Sequence, residues 1–358
     1  MGARIMGVSP QYSDIQMPYK KDLLNADGTP NPGYATHEFL RYNKENIKAK
    51  PWRIKEWDFY QVEDLGGRYC LQLTYGHAAY IGQVGVMFFD IKEQRFIVNR
   101  SKLIPLAFDR MRLPRTAEGD SEIRYLDKKH GIKVHFRTKD GVRDLLFTMG
   151  DFSCTLHLEK VIQDALCIAV PFREKPTQFY YNYKLNGMSC TGEVHYVDKD
   201  EQKTLCFGMD DSRKTPALGI LDWGRGVWPF SNEWFWSNGA GFADGKLFGF
   251  NLGCGFGDTS RATENIVFYE GKAHKLGEVS IVHEEDYMKP WRLTDDEGRL
   301  DFTMEPEYDR ITRDKVLFVD NCTHQVFGRF HGSVILDDGS VLEIRDLPAF
   351  AEHAVNNW

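Results

Sequence analysis

Apolar and polar residues alternate along most of this chain in short runs, with no sustained helical spacing. RYCLQLTY (68–75), IKVHFRT (132–138), RDLLFTM (143–149), SCTLHLE (153–159), KLFGFNLG (246–253) and SVLEIRD (340–346) each place apolar residues two apart. That is the period of a strand with one face buried. VGVMFFDI (84–91), NIVFYE (265–270), LDFTME (300–305) and QVFGRFHGSVIL (325–336) add more apolar runs. KDG at 139–141, EGK at 270–272, DEG at 296–298 and DDG at 337–339 supply turns between them. The one candidate helix, Thr36 to Ala49, is polar enough to lie on the surface. The pattern predicts an all-β protein with few short helices.

A repeat subdivides it. Lys55-Glu56-Trp57-Asp58-Phe59 is similar to Asn232-Glu233-Trp234-Phe235-Trp236, and MFFDIKEQRFIVNRSKL (87–103) is similar to VFYEGKAHKLGEV (267–279). Two copies in 358 residues predict two β-domains in tandem. The expected division is an N-terminal extension over 1–45, one domain over 46–190 and a second over 191–358. The boundary falls between 165 and 215, where PFREKPTQ and YVDKDEQKT break the pattern. Evenly spaced antiparallel strands form a sandwich or an up-and-down barrel, and an eight-stranded barrel holds either packed side chains or one small ligand.

The stretch DWGRGVWPFSNEWFWSNGAG (222–241) carries four tryptophans and two phenylalanines, more than an ordinary strand or loop uses. Within 231–238, alternation puts Asn232, Trp234, Trp236 and Asn238 on one face. In 248–253, Gly249, Asn251 and Gly253 share a face on which glycine lets another backbone or a ligand approach closely.

Composition closes off several classes. A net charge of −7 argues against a protein that neutralises nucleic-acid phosphates. No apolar run is long enough for a transmembrane helix, and MGARIMGVSPQYSDIQMPYKK lacks a signal-peptide core. Seven cysteines without a CxxC pair read as reduced thiols of a cytoplasmic protein. No HxH, HExxH or HxxxH spacing exists, so no metal is expected. Walker A, GxSxG and GxGxxG signatures are missing, and GCGFGDTS (253–260) is a weak phosphate cradle. No cofactor is expected.

Candidate site residues each have a structural and a functional reading. Asp222 and Arg225 can close a tight ion pair across Gly224; alternatively Arg225 holds an anionic or carbonyl group that Asp222 orients. Glu264 is a candidate general acid beside a barrel mouth, or with Asn265 closes the preceding loop. Asp258 reads as a turn former. Glu56 and Glu233, repeated beside Trp57 and Trp234, read as sharing a structural job, and His77 as a satisfied or exposed histidine. Trp228, Trp234 and Trp236 are expected to wall a pocket or an inter-barrel seam, with Arg225, Asn251 and Asn265 adding polar contacts.

DWGRGVWPFSNEWFWSNGAG, the following FGFNLGCGFGDTSRATENIVFYEGKAHKL, PWRLTDDEGRLDFTMEPEYDR (290–310), QVFGRFHG (325–332) and the closing AEHAVNNW together resemble a bacterial family catalogued as domain of unknown function 2804. KEWDFYQVEDLGGRYCLQLTYGHAAYIG agrees more loosely. The family is distantly similar to carotenoid hydratases and tocopherol cyclases. That resemblance implies two lipocalin-like antiparallel β-barrels. It also implies a small hydrophobic or amphipathic ligand and cofactor-free hydration, cyclisation or isomerisation, with Asp222 or Glu264 protonating a double bond. A non-catalytic lipid or isoprenoid carrier and a carbohydrate-binding protein are the alternative expectations.

Overall fold

The computed structural model describes residues 21–357 apart from 79, 162, 210, 211, 317 and 318. The segment read as lacking a signal core lies almost entirely outside the described residues. Among them the regular structure is almost all antiparallel strand, with 3-10 turns at Lys44–Asn46, Pro51–Arg53, Phe108–Met111 and Lys128–His130. No helix among the described residues is long and apolar enough to cross a membrane.

The helix expected over Thr36 to Ala49 does not form. That segment holds the short strand Leu40–Arg41 and the turn Lys44–Asn46. The Asn43 side chain binds the Leu24 backbone at both ends, accepting from its N–H at 2.9 Å and donating to its carbonyl at 2.8 Å. These bonds tie the segment to a neighbouring chain run in place of helical i→i−4 bonds.

The strands form two large sheets. Across the first run Arg95–Pro105, Ile81–Asp90, Tyr69–Ala78 and Lys55–Asp64, followed by Ala217–Val227 and Phe179–Asp198. Phe152–Glu159, Val142–Met149, Ile132–Lys139 and Ser121–Asp127 end this path, and Leu166–Pro171, Glu201–Phe207 and Gly33–Ala35 pair alongside it. Across the second run Lys272–Lys275, Ile266–Tyr269, Lys246–Cys254 and Ser231–Ala243, then Val341–Asn357, Val319–Ile335 and Leu300–Val316, ending with Trp291–Asp295 and Val279–Val282. The path is the same in both. A four-stranded meander leads off, and the last strand of the unit returns to pair with the first. The repeat seen in the sequence is therefore a repeat of topology.

The chain passes from the first sheet to the second between Val227 and Ser231, downstream of the 165–215 interval expected for the domain boundary. Strand Ala217–Val227 is buried throughout, because one of its faces meets the interior of the first unit and the other meets the second sheet.

Each sheet curls around its own core. In the first, Tyr60 and Phe136 meet edge-on at 5.5 Å across the interior, and Tyr75 and Tyr125 at 6.2 Å. In the second, Phe250 packs with Phe302 at 5.7 Å and Phe330 at 5.3 Å. A third cluster joins the two units: Cys70, Phe89 and Ile220 from the first sheet against Trp236, Phe327 and Phe350 from the second. Phe89 and Phe327 meet at 5.0 Å in a T-shaped pair, the geometry that aromatic quadrupoles favour. All seven cysteines are free thiols.

Candidate functional site

Between the two sheets, next to that third cluster, lies a cavity of about 280 Å³. Its position follows from strand alternation. On Lys55–Asp64, Trp57 and Phe59 face the second sheet while Tyr60 and Val62 enter the first core; on Ser231–Ala243, Trp234 and Trp236 face back. The repeated motif KEWDF/NEWFW thus supplies both aromatic walls. Trp228, in the connection between the sheets, and Phe256, on the 255–265 loop, close one side. Phe256 packs against Tyr180 at 5.0 Å, Trp234 at 5.2 Å and Trp228 at 5.6 Å.

Two glycines shape these walls. A Cβ on Gly224 would stand 2.1 Å from the Trp57 indole, so the indole lies flat on the strand only because residue 224 has no side chain. A Cβ on Gly253 would stand 2.2 Å from the Glu264 carboxylate, and Glu264 occupies that space.

The polar groups fall into two rows that correspond under the repeat. In the first sheet, Asp222 stands between Phe59 and Lys184 in register. In the second, Glu352 stands between Trp236 and Gln325. Phe59 and Trp236 are the equivalent positions of the repeated motif, so Asp222 and Glu352 are equivalent too. Lys184 Nζ lies 3.5 Å from Asp222 Oδ1, 3.5 Å from Glu264 Oε2 and 4.1 Å from the centre of the Trp236 ring. Asn182 donates to Asp222 at 2.5 Å. Asn251 holds the second carboxylate in place: its amide donates to the Glu264 carbonyl at 2.8 Å and to Oε2 at 3.1 Å, while its oxygen accepts from Trp236 Nε1 at 2.7 Å.

Glu352 sits in a different environment. Gln325 donates to its Oε2 at 3.2 Å, and Trp234 donates to the same carboxyl group. Burial pushes its pKa up to about 7. The Asp222 charge pushes the same way, and the Arg310 guanidinium, the Trp234 donor and Lys184 oppose the shift. Arg310 Nε donates to Gln325 Oε1 at 3.0 Å, and Gln72 donates to the same oxygen at 2.8 Å, linking the sheets. With Glu352 neutral, the cations Lys184 and Arg310 balance the carboxylates Asp222 and Glu264.

The cavity gathers Asp222, Glu264, Trp228, Trp234 and Trp236 of the residues singled out in the sequence, with Asn251 behind them. It does not gather Arg225 or Asn265. Arg225 is fully buried on the opposite face of its strand, inside the first unit. There it binds Asp58 at 2.8 Å and the carbonyls of Trp57 and Pro114 at 2.6 and 2.9 Å, with its guanidinium 3.9 Å from the Trp223 ring. The ion pair expected between Asp222 and Arg225 is therefore absent, because residues three apart on a strand point to opposite faces. Asn265 accepts from the Gly253 N–H at 2.7 Å and donates to the Gly277 carbonyl at 2.8 Å, fixing the loop.

Asp258 accepts from Ser260 N–H at 3.1 Å and pairs with Arg173 at 2.9 Å. Glu56 and Glu233 each make a strand-to-strand bond to a histidine, His77 at 2.9 Å and His353 at 2.8 Å. His77 is thus a buried, carboxylate-bound histidine. Among the described residues no group of three His, Cys, Asp or Glu side chains is placed to hold a metal ion.

Sequence reasoning passed over Glu352, Lys184, Tyr180 and Arg310. A signal existed for two of them. Asn182, Lys184 and Asn186 alternate within the apolar run FYYNYKLNGM, marking a polar face on a buried strand, and Glu352 is the acid in the closing AEHAVNNW.

The fold is shared with CghA at low sequence identity. Its crystal structures with and without Sch210972 each match at a TM-score of 0.57 and 10% identity, covering 94% of this chain and 97% of that one. A comparison with curated proteins found no match. The model of the family described as domain of unknown function 2804 matches residues 14–358, nearly the whole chain, and the protein belongs to that family.

Proposed function

We propose that the protein binds a compact, largely apolar small molecule in the inter-sheet cavity and catalyses cofactor-free proton transfer on it, with Glu352 exchanging the proton. The observation that carries this reading is Glu352 itself: a buried carboxyl group on an aromatic-walled cavity, with its pKa raised to about 7. A group that titrates near neutrality is available both as acid and as base at working pH, the condition for efficient proton transfer. Asp222 and Glu264 already share the Lys184 ammonium, which suits them to positioning that cation. The proton-donating role suggested for them passes to Glu352.

The volume, about 280 Å³, lies just below the roughly 300–1,000 Å³ usual for ligand clefts, so the ligand is compact. Seven aromatic side chains make its walls, and most polar groups bond one another. That favours an apolar body over a sugar, which would need many free donors and acceptors. Isomerisation, hydration and cyclisation all use such an acid/base group; a pure carrier needs none.

The test is native mass spectrometry of protein purified from its own host, followed by incubation of the co-purified molecule with protein in D2O. Deuterium entering the ligand, and failing to enter with Glu352→Gln, supports the enzyme. Binding without exchange in either protein marks a carrier.

A further inference from the structure

Most polar side chains around the cavity are already engaged. Lys184 is held by two carboxylates, Gln325 binds Arg310, Gln72 and Glu352, and Glu352 also takes Trp234. Tyr180 differs. It is 8% exposed and lines the cavity, its ring is fixed against Phe256, Trp228 and Trp57, and no hydrogen bond reaches its hydroxyl among the described residues. Burying a phenol without a partner is costly, and tyrosine hydroxyls in apolar surroundings normally find one. A hydroxyl left open toward a cavity marks the place where a ligand acceptor sits.

The group is held in its proton-donating form. Burial, reinforced by the charges of Asp222, Glu264 and Glu352, holds its pKa well above the ordinary tyrosine value, so it keeps its proton at any physiological pH. The same three charges place it in the field of the acid/base group on the opposite sheet.

We infer that Tyr180 donates a hydrogen bond to a carbonyl oxygen of the ligand, and that the substrate is a compact carbonyl compound with an acidic C–H beside that carbonyl. This rests on the cavity reading above and names its substrate class. An ether or alcohol would also accept from Tyr180, but its C–H bonds are too weakly acidic for a carboxylate to break. A carbonyl gives both residues a task. Ionised Glu352 removes the proton from the α-carbon: the C–H bond breaks, an O–H bond forms on Glu352, and the released pair becomes a C=C bond. The carbonyl π pair moves onto oxygen, where the growing negative charge strengthens the hydrogen bond from Tyr180. Return of the proton to the same or a conjugated carbon gives exchange or isomerisation, with no oxidant or reductant.

Three probes test this: 2-naphthol, shaped like an enol; naphthalene, the same body without oxygen; and 2-tetralone, a ketone with exchangeable α-hydrogens. Tryptophan fluorescence reads binding, since Trp57, Trp228, Trp234 and Trp236 line the cavity. Wild type is expected to prefer 2-naphthol over naphthalene by about tenfold, the worth of one good hydrogen bond. Tyr180→Phe should erase the preference while binding naphthalene as before, which also shows that the variant is folded. In D2O, wild type should exchange 2-tetralone α-hydrogens faster than buffer, with Tyr180→Phe slower by about 10²-fold and Glu352→Gln by about 10²–10⁴-fold.

Equal affinity for the two binding probes in wild type, a measurement that needs no variant, overturns the oxygen contact and leaves the cavity reading standing. So does a preference that survives in Tyr180→Phe. Exchange no faster than buffer overturns the carbonyl step. Failure of wild type to bind either probe overturns both readings together.

Discussion

Asp222 and Glu352 are the same residue position in two copies of one fold, opposite Phe59 and Trp236 in their respective sheets, and both line the cavity between those sheets. Their neighbours differ. Asp222 is followed in register by Lys184, Glu352 by Gln325. An ammonium beside one carboxyl and an amide beside the other give a symmetric scaffold an asymmetric site. One carboxylate is compensated by a cation 3.5 Å away, and the other is raised to about 7 by burial.

That asymmetry has a stability signature. Glu352 holds its proton more tightly in the folded than in the unfolded chain, so its ionisation destabilises the fold as pH rises from about 4.5 through about 7. Each tenfold gain in proton affinity on folding is worth about 1.4 kcal/mol, so the total is ~3 kcal/mol. Glu352→Gln removes this dependence. Urea denaturation should find the variant close to wild type at pH 4.5 and more stable at pH 8. A difference that stays constant with pH contradicts the assignment.

Arg225→Lys should destabilise the protein without touching the cavity. Removing one partner of a buried pair costs roughly 3–5 kcal/mol, and lysine, which keeps the charge but loses the planar fork, should cost part of that. Denaturation midpoints measure the loss. Naphthalene affinity of the folded fraction should match wild type; a selective loss of affinity would place Arg225 at the ligand after all.

Two tryptophans eleven residues apart should behave differently. Trp223→Ala opens a hole in the core of the first unit, where Trp223 is 1% exposed, and should cost about 3–5 kcal/mol. Trp234→Ala enlarges an existing cavity and should cost less while weakening naphthalene binding. Equal stability losses with binding intact would make Trp234 a core residue.

Gly224→Ala tests the wall from behind. Its new methyl collides with the Trp57 indole and should cost about 1–3 kcal/mol by overpacking. The displaced indole should lower affinity as well, and calorimetry of binding checks this. Wild-type affinity and stability together would show that Trp57 has room to move.

Much of this was legible in the sequence. Period-two alternation and turns such as Asp140-Gly141, where both residues take positive φ, mark the strands locally. The tryptophans of the second copy of the repeated motif were expected at the cavity wall; Trp57 and Phe59 of the first copy join them there. What stayed hidden was the pairing partner of Ala217–Val227, because a last strand that returns to a first is fixed by contacts about 160 residues away. The glycines of DWGRG hid the strand, and without a strand Asp222 and Arg225 can be read as pairing across Gly224. Once the segment is a strand, parity alone separates them, and the glycines are explained by Trp57 lying over residue 224. Glu352 stood in view as the acid of the closing AEHAVNNW, but its chemistry comes from burial between two sheets, which no local pattern displays.

The most direct test of the account is the titration of the Glu352 carboxyl itself, followed by 13C NMR of glutamate-labelled protein and assigned by its disappearance in Glu352→Gln. The account predicts a midpoint near 7 and a resonance that moves when 2-naphthol is added. A midpoint near 4.5 with no response to the ligand would contradict it.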